Sequence, residues 1–214
     1  MGARFIIEHM DDLEEWCALE YAHICEVVGD DNAIFTKFEG KFGDIVKGHE
    51  PTCYEQSIGN LRDKFDWNKV CLLDMKAKDT LTCSDKRTID FLLFGGILGN
   101  VPSNDRTSEL RKYNFPISRN LGNIQMTTNT AVLVSHIILH NTIELENIPF
   151  VDNPEIVLKN EKETMILPFR FVSKYFYTKC ESDKNVPILP NKFQEYLIKI
   201  GDQQFEDAEE SFLS

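Results

Sequence analysis

The sequence lacks any apolar run long enough to cross a lipid bilayer. Its first residues, MGARFIIEHMDDLEEW, become acidic at once and contain no apolar region of the kind that a secretory signal carries. We therefore expect a chain without a membrane segment. Because nothing indicates secretion, we predict a cytoplasmic protein.

The six cysteines include no C-x-x-C pair, so the sequence shows neither the spacing of common zinc sites nor a disulfide framework. Free, mostly buried thiols in a reducing compartment are the simplest interpretation. His136 and His140 stand four residues apart in an apolar segment, but no glutamate follows His136. This pair is more typical of a helix core than of a metalloprotease motif. We predict no metal site.

Basic residues are in the minority, with 23 Lys and Arg against 35 Asp and Glu and a net charge of −12. Such a chain repels a phosphate backbone overall, although a local basic patch could still bind RNA. No such patch stands out, and the Gly-Lys-Ser/Thr of a P-loop is missing. The charge balance favours a basic protein as the partner, and RNA is not excluded.

Apolar strands and helical segments alternate along the 214 residues, of which 42% are hydrophobic. Near-continuous apolar runs are typical of strands buried on both faces of a parallel sheet. Residues 39–57, which hold glycines and a proline, read as loop. The fold class is therefore α/β, with a mostly parallel sheet flanked by helices. The spacing predicts strands over 4–9, 32–38, 69–75, 91–98 and 115–121, and helices over 11–28, 58–65, 105–113 and 127–142.

Residues 1–142 form the predicted main domain. The composition changes after Thr142, where LENIPFVDNPEIVLKNEKETMILPFRFV contains three prolines and short β-type segments. We therefore assign 143–214 to a C-terminal extension with a possible role in substrate recognition. Its last stretch, GDQQFEDAEESFLS, has five acidic residues and no basic one, and we expect a disordered tail there.

Three predicted strand ends gather glycine or polar residues: LLD at 72–74, FGGILGN at 94–100 and ISRNLGNIQMTTNT at 117–130. In a parallel sheet these ends lie on one edge, where ligands bind. A cleft lined by main-chain N–H and C=O groups there suits an adenosine-bearing ligand. The Rossmann fingerprint is incomplete, because Phe94 stands where its first glycine belongs and the later acidic residue is missing. Tight turns without a ligand would explain the glycines equally well.

Three charged residues accompany these strand ends. Glu8 ends the first strand, Asp105 begins a predicted helix, and Arg106 follows it. A solvated strand end would explain Glu8, and a helix N-cap would explain Asp105. The residue types alone leave these structural roles and a catalytic role open.

The segments RFIIEHMDDLEEWCALEYAHI, FGGILGNVPSNDRTSELRK and ISRNLGNIQMTTNTAV resemble the SPOUT-class, or α/β-knot, methyltransferases. The resemblance covers residues 4–175 and is strongest to the branch that includes an arginine methyltransferase acting on a ribosomal protein. It implies a C-terminal trefoil knot and S-adenosylmethionine as the cofactor. It also implies that a monomer methylates arginine in a basic ribosomal protein of the small subunit. A SPOUT RNA methyltransferase and a catalytically inactive S-adenosylmethionine-binding module are the alternatives.

The family binds its cofactor in a bent form against main chain at the three strand ends. We expect a side chain at Gly96 to obstruct the adenosine or methionine portion. Two positions depart from the family pattern, since Met75 stands where a proline is common and Asn129 where an aspartate is common. Carried over by position, the resemblance implies cofactor contacts from Leu73, Asp74, Phe94, Gly95, Gly96, Gly99, Ile117, Leu121, Gly122, Met126, Thr127, Thr128 and Thr130.

Arginine methylation brings two positive charges together, the sulfonium of the methyl donor and the guanidinium of the acceptor. At a separation of about 4 Å they repel by roughly 4 kcal/mol for an effective dielectric constant of about 20. A carboxylate can orient the guanidinium and receive its proton as the new N–C bond forms. We therefore assign catalytic roles to Glu8 and Asp105. Arg106 either holds Asp105 in place or forms a surface ion pair.

Overall fold

A six-stranded sheet forms the centre of the protein. The structure is a computed structural model, and it describes residues 2–96, 105–158 and 164–201. The strands pair in the order β3-β2-β1-β5-β4-β6, and every pairing is parallel. The predicted α/β class is therefore confirmed, while the threading of the chain into a trefoil knot stays a prediction. The strands are β1 (Arg4–His9), β2 (Ala33–Thr36), β3 (Thr52–Tyr54), β4 (Val70–Leu73), β5 (Phe91–Gly96) and β6 (Ile117–Arg119).

The central strand β1 shows why this sequence forms a sheet covered on both faces. Its residues Phe5, Ile6 and Ile7 are all fully buried. Side chains alternate between the two faces of a strand, so Phe5 and Ile7 enter one core cluster while Ile6 enters the other. The first cluster also takes in buried residues of two long helices. The helices before the C-terminal extension are α1 (Glu15–Val28), α2 (Phe42–Ile45), α3 (Ser108–Arg111) and α4 (Thr128–Leu139).

Most predicted elements exist, although several are shorter than the sequence indicates, and the predicted helix over 58–65 is wrong. The chain adopts helix α1 from Glu15 rather than from residue 11, and α1 ends where Gly29 takes a φ of 78°, a conformation that favours glycine. The predicted helix over 105–113 contains only the single turn α3. The predicted helix over 58–65 contains a 3-10 turn, Ile58–Asn60.

Strand β3 is not predicted from the sequence. It lies within 39–57, a segment whose glycines and proline predict a loop. It has only three residues and pairs with β2 at the edge of the sheet. A strand this short leaves no apolar periodicity from which it could be recognised.

The C-terminal extension contains two small antiparallel sheets. In one, β7 pairs with β10, and in the other β8 pairs with β9. No helix in the described part of the chain is both long and apolar enough to span a bilayer. The elements here are β7 (Phe150–Asp152), β8 (Glu155–Val157), β9 (Thr164–Ile166), β10 (Arg170–Val172), α5 (Tyr175–Thr178) and a helix over 193–201.

The extension packs against the first part of the chain through apolar contacts. Val172 and Phe176 belong to the same core cluster as β1. The Trp16 ring of α1 packs edge-on against Phe193, with ring centroids 4.9 Å apart. A domain boundary after residue 142 stays a prediction. Of the predicted disordered tail over 201–214, Gly201 ends the helix over 193–201 and is buried, and residues 202–214 lie outside the described residues.

Candidate active site

The carboxyl ends of the parallel strands bring the predicted site segments together at one edge of the sheet. Glu8 of β1 lies opposite Gly95 of β5. Asp74, which follows β4, donates its backbone N–H to the carbonyl of Arg119 over 2.9 Å. The Thr128 hydroxyl donates to the Gly95 carbonyl over 3.2 Å. The three segments that the sequence singles out therefore meet as neighbours.

The predicted cofactor residues divide into core and edge positions. Phe94 and Leu121 are buried, whereas Leu73, Ile117 and Met126 are half-buried. These three partly buried apolar side chains pack against the main core cluster, and their contact with the cofactor stays a prediction. Gly99 lies outside the described residues.

Three predicted cofactor residues gain a structural explanation before and at the start of α4. Gly122 has a φ of 90°, which favours glycine, and its N–H donates to the Asn120 side chain. The Thr127 hydroxyl contacts that of Thr130 at 2.8 Å, and both residues are buried. Their side chains therefore stabilise the start of α4, and their contribution to a ligand would come from the main chain.

The expectation that a side chain at Gly96 would obstruct the cofactor is wrong. A Cβ built there would lie 2.5 Å from the Tyr21 hydroxyl and 2.9 Å from Ile7 Cγ2. It points into the core between the sheet and α1, not into the cleft. Glycine is needed because a helix side chain approaches the strand backbone closely.

Glu8 is not a solvated strand end. Its residue exposure is 3%, and its carboxylate accepts hydrogen bonds from three uncharged donors. These are the Ser57 hydroxyl, the Thr36 hydroxyl, and the Ile58 N–H at 2.9 Å. β2 and the turn at Ile58–Asn60 thus fix both carboxylate oxygens without neutralising their charge.

A cavity of about 160 Å³ opens at Glu8. Tyr113 is held against it, with its hydroxyl 3.2 Å from the Ser57 hydroxyl. Gly59 makes this position possible, since a Cβ there would lie 2.2 Å from the Tyr113 ring. The residues that line the cavity are Glu8, Met10, Lys37, Ser57, Glu109, Leu110 and Tyr113.

Asp105 is neither a helix cap nor a wall of this cavity. Its carboxylate accepts from Arg111 Nη2 at 2.6 Å and from Lys76 Nζ at 2.5 Å. These two cations hold the pKa of Asp105 well below its usual range. The residue before α3 is Thr107, which makes no side-chain cap hydrogen bond. The carboxylate is therefore already paired.

Arg106 does not hold Asp105. Its Nη1 lies 2.9 Å from Asp11, and its Nη2 donates to the Met10 carbonyl. The residue that binds Asp105 is Arg111, which also binds Asp74. Sequence reasoning misses Arg111 because its two acidic partners come from separate segments. The Asp74 carboxylate is consequently occupied within the protein, and its N–H and carbonyl are bonded to Arg119 and Ala77. A cofactor contact from Asp74 stays a prediction.

Buried polar groups of α1 contact the start of α4. The Asn129 amide lies 2.9 Å from His23 Nδ1, and burial lowers the pKa of His23. A neutral amide therefore meets a ring that favours its neutral form. Nearby, burial raises the pKa of Glu20 to about 7, and Trp16 Nε1 donates to its carboxylate over 2.7 Å. Asn129, which stands where the family commonly has an aspartate, therefore pairs with the neutral form of His23.

The histidine and cysteine predictions concern structure rather than chemistry. His136 and His140 stack with centroids 4.5 Å apart, and burial lowers the pKa of His136 to about 4. His136 is only half-buried and His140 is exposed, so the pair lies at the margin of the core and the predicted core pair is wrong. All six cysteines are free, as predicted. One described group, Cys25, Asp30 and His49, has ligand atoms within 4.8 Å of one another and could hold a metal ion. In the structure His49 Nδ1 pairs with Asp30 at 2.9 Å.

The parallel sheet, its strand-end edge and the neighbouring carboxylate agree with the SPOUT-class methyltransferase that the sequence resembles, and the family match shows this class. The family model described as "Protein arginine N-methyltransferase SFM1-like" matches residues 4–204. The chain belongs to this family. The predicted class and its arginine-modifying branch are therefore confirmed.

Yeast relatives and solved structures agree with this assignment. Protein arginine N-methyltransferase SFM1 of Saccharomyces cerevisiae is 33% identical over 219 residues, covering 95% of this chain and 98% of the relative. The crystal structure of yeast SFM1 complexed with SAM matches with a TM-score of 0.78 and 32% identity, covering 93% of this chain and 91% of that one. The crystal structure of yeast SFM1 complexed with SAH matches with a TM-score of 0.77 and 32% identity, covering 90% of this chain and 93% of that one.

A more distant structure supports the fold alone. The crystal structure of a dual specific Trm10 from Thermococcus kodakaraensis matches with a TM-score of 0.55 at 15% identity. The match covers 67% of this chain and 95% of that one. The sheet architecture is therefore shared beyond the SFM1-like family.

Proposed function

We propose that this protein transfers a methyl group from S-adenosylmethionine to an arginine side chain of a basic protein. The observation that carries the proposal is the fixed, buried carboxylate of Glu8, which lines a cavity and belongs to a residue paired with Gly95 across the sheet. The family membership and the SAM complex of the yeast relative support the choice of cofactor and acceptor.

Glu8 has the hydrogen-bonding capacity that an arginine acceptor requires. An ionised carboxylate offers about four acceptor positions. Three are filled by Ser57, Thr36 and the Ile58 N–H. The remaining acceptor capacity is available to a guanidinium in the cavity, and none of the three donors that hold this carboxylate carries a charge. The uncharged donors keep the carboxylate oriented, and the cationic substrate supplies the compensating charge.

The cofactor, when bound, supplies the methyl group as a sulfonium. The acceptor nitrogen forms the new N–C bond while the S–C bond breaks, and the nitrogen must then lose a proton. Glu8 is the group placed to orient the guanidinium and to receive that proton. Its charge also offsets the repulsion between guanidinium and sulfonium, which is roughly 4 kcal/mol at about 4 Å and a dielectric constant of about 20.

The finer target that we propose is a basic ribosomal protein of the small subunit, methylated in the cytoplasm by a monomer. The net charge of −12 supports a basic partner, because opposite net charges accelerate encounter at low salt. The same charge disfavours RNA as the acceptor. The C-terminal extension is the proposed site of partner selection.

The test is methyl transfer to purified small ribosomal subunits. The full chain is incubated with methyl-labelled S-adenosylmethionine and subunits, and protein and RNA are then separated. We expect label in one basic protein, recovered after hydrolysis as methylarginine. Label in RNA alone would support the RNA methyltransferase alternative. Cofactor binding in calorimetry without any labelled product would support an inactive binding module.

A further inference from the structure

We infer that Glu109 is the second carboxylate that binds the acceptor guanidinium, the role that the sequence suggests for Asp105. The inference rests on the proposed arginine acceptor and extends it by a specific residue. Glu109 lies in α3 and lines the same cavity as Glu8. Nothing in the strand-end pattern singles it out, because it belongs to a helical turn and not to a strand end.

The carboxylate of Glu109 is available, whereas that of Asp105 is not. Asp105 is bound by Lys76 and Arg111 and does not line the cavity. Across the described ranges, Glu109 has no ion pair and no side-chain hydrogen bond, and its residue is exposed. It therefore presents a charge to the cavity that the protein itself does not neutralise.

The two residues that follow Glu109 fix the backbone that carries it. Leu110 is 1% exposed and belongs to the core cluster on this face of the sheet. Arg111 is tied to Asp74 and Asp105. The anchored turn holds Glu109 at the cavity while its side chain stays free to meet a ligand.

The charges of the cavity lining show why a second carboxylate is needed. Besides Glu8 and Glu109, the lining contains one cation, Lys37. Glu8 alone would be balanced by Lys37, and no negative charge would remain for an incoming guanidinium. Glu109 gives the lining a net negative charge, so a cation can enter without leaving a buried excess of positive charge.

Two carboxylates also suit arginine better than lysine. A guanidinium carries five N–H donors on a planar fork and can meet carboxylates along more than one edge, whereas an ammonium is a compact point charge. Glu8 and Glu109 come from β1 and α3, two elements that the buried Leu110 joins through one core cluster. The pair therefore favours arginine as the acceptor.

The test compares Glu109→Gln with a matched control, Glu50→Gln. Both remove one negative charge from an exposed glutamate, but Glu50 does not line the cavity. The probes are N-acetyl-arginine-methylamide and its uncharged citrulline counterpart, titrated by calorimetry or NMR in the presence of S-adenosylhomocysteine. We expect Glu109→Gln to weaken binding of the arginine probe by roughly two- to fivefold and to leave the citrulline probe unchanged. Glu50→Gln should change neither.

The possible outcomes distinguish the role of Glu109 from the proposed function. If Glu109→Gln binds the arginine probe as tightly as the wild type, Glu109 is not the second carboxylate, whatever the subunit assay shows. Equal weakening of both probes would indicate a change of cavity shape and would also overturn the inference. If the wild type binds the arginine probe but labels no protein in the subunit assay, the proposed function fails while the carboxylate pair stands.

Discussion

Arg111 donates two hydrogen bonds to the carboxylate of Asp74, from Nε and from Nη2, the second over 3.0 Å. Asp74 is 7% exposed, so its charge depends on this partner. The same guanidinium binds Asp105. Arg111 thereby ties α3 to the end of β4, and it fixes the turn that carries Glu109.

Replacing Arg111 by Ala should destabilise the fold by about 2 kcal/mol, because it leaves the buried carboxylate of Asp74 without its cation. Urea unfolding at neutral pH measures the change. Lys78→Ala, at an exposed lysine of the same region, is the control and should stay within about 0.5 kcal/mol of the wild type. Combining Arg111→Ala with Asp74→Ala should recover part of the loss. If the double variant is as unstable as the sum of the two single ones, the pair is not coupled.

Replacing Glu8 by Gln should abolish methyl transfer while cofactor affinity is kept. The amide carries no charge to offset two cations, and its NH₂ must face either the Ile58 N–H or a hydroxyl now bound to the carboxylate. We expect turnover to fall at least about a hundredfold, which is the scale of lost general-base catalysis. Initial rates on small ribosomal subunits and calorimetry with S-adenosylmethionine provide the two readouts. Turnover within twofold of the wild type would remove Glu8 from the mechanism.

The fold could be predicted where burial leaves a strong pattern in the sequence. The apolar run around Phe5–Ile7 predicts a strand covered on both faces, and the structure places it at the centre of the sheet. β3 carries no such pattern because it is a three-residue edge strand. The order of the strands depends on which crossovers the chain makes, and local periodicity does not contain that information.

The site could be predicted only in part, because side-chain partners come from distant segments. Glu8 is proposed from its place at a strand end, but its donors Thr36, Ser57 and Ile58 lie in other elements. Asp105 carries the negative charge that binding a guanidinium requires, but Lys76 and Arg111 already bind its carboxylate.

Replacing Gly96 by Ala should destabilise the protein by about 1–3 kcal/mol, because the methyl group meets a packed core. Gly43→Ala is the matched control. A Cβ at Gly43 would lie at an ordinary 3.7 Å from its nearest neighbour, the His49 carbonyl oxygen, so this variant should be neutral or slightly stabilising in α2. Thermal or urea unfolding distinguishes the two. Adding Tyr21→Phe to Gly96→Ala removes the hydroxyl nearest the new methyl group and should restore part of the stability; no recovery would place the conflict at Ile7 instead.

Glu20 should make the stability of the protein fall as pH rises from about 4.5 to about 7. Burial raises its pKa in the folded state to about 7, above the value of 4.5 for an unperturbed glutamate. Between these values the folded state keeps a proton that the unfolded state has lost, so unfolding releases a proton and stability declines with pH. The full effect is of the order of 3 kcal/mol, present below the lower value and lost above the higher one.

Replacing Glu20 by Gln removes this titration and keeps an acceptor for Trp16 Nε1. The variant and the wild type should differ little near pH 4.5, and the variant should be more stable by about 1–3 kcal/mol at pH 8. Urea unfolding of both proteins at both pH values measures the difference between their free energies of unfolding. The other titrating groups contribute equally to both proteins and cancel from this difference. Glu26→Gln, at an exposed position of the same helix, should show the same offset from the wild type at both pH values. A Glu20→Gln offset that does not change with pH would mean that Glu20 ionises in the folded protein as readily as it does in the unfolded chain.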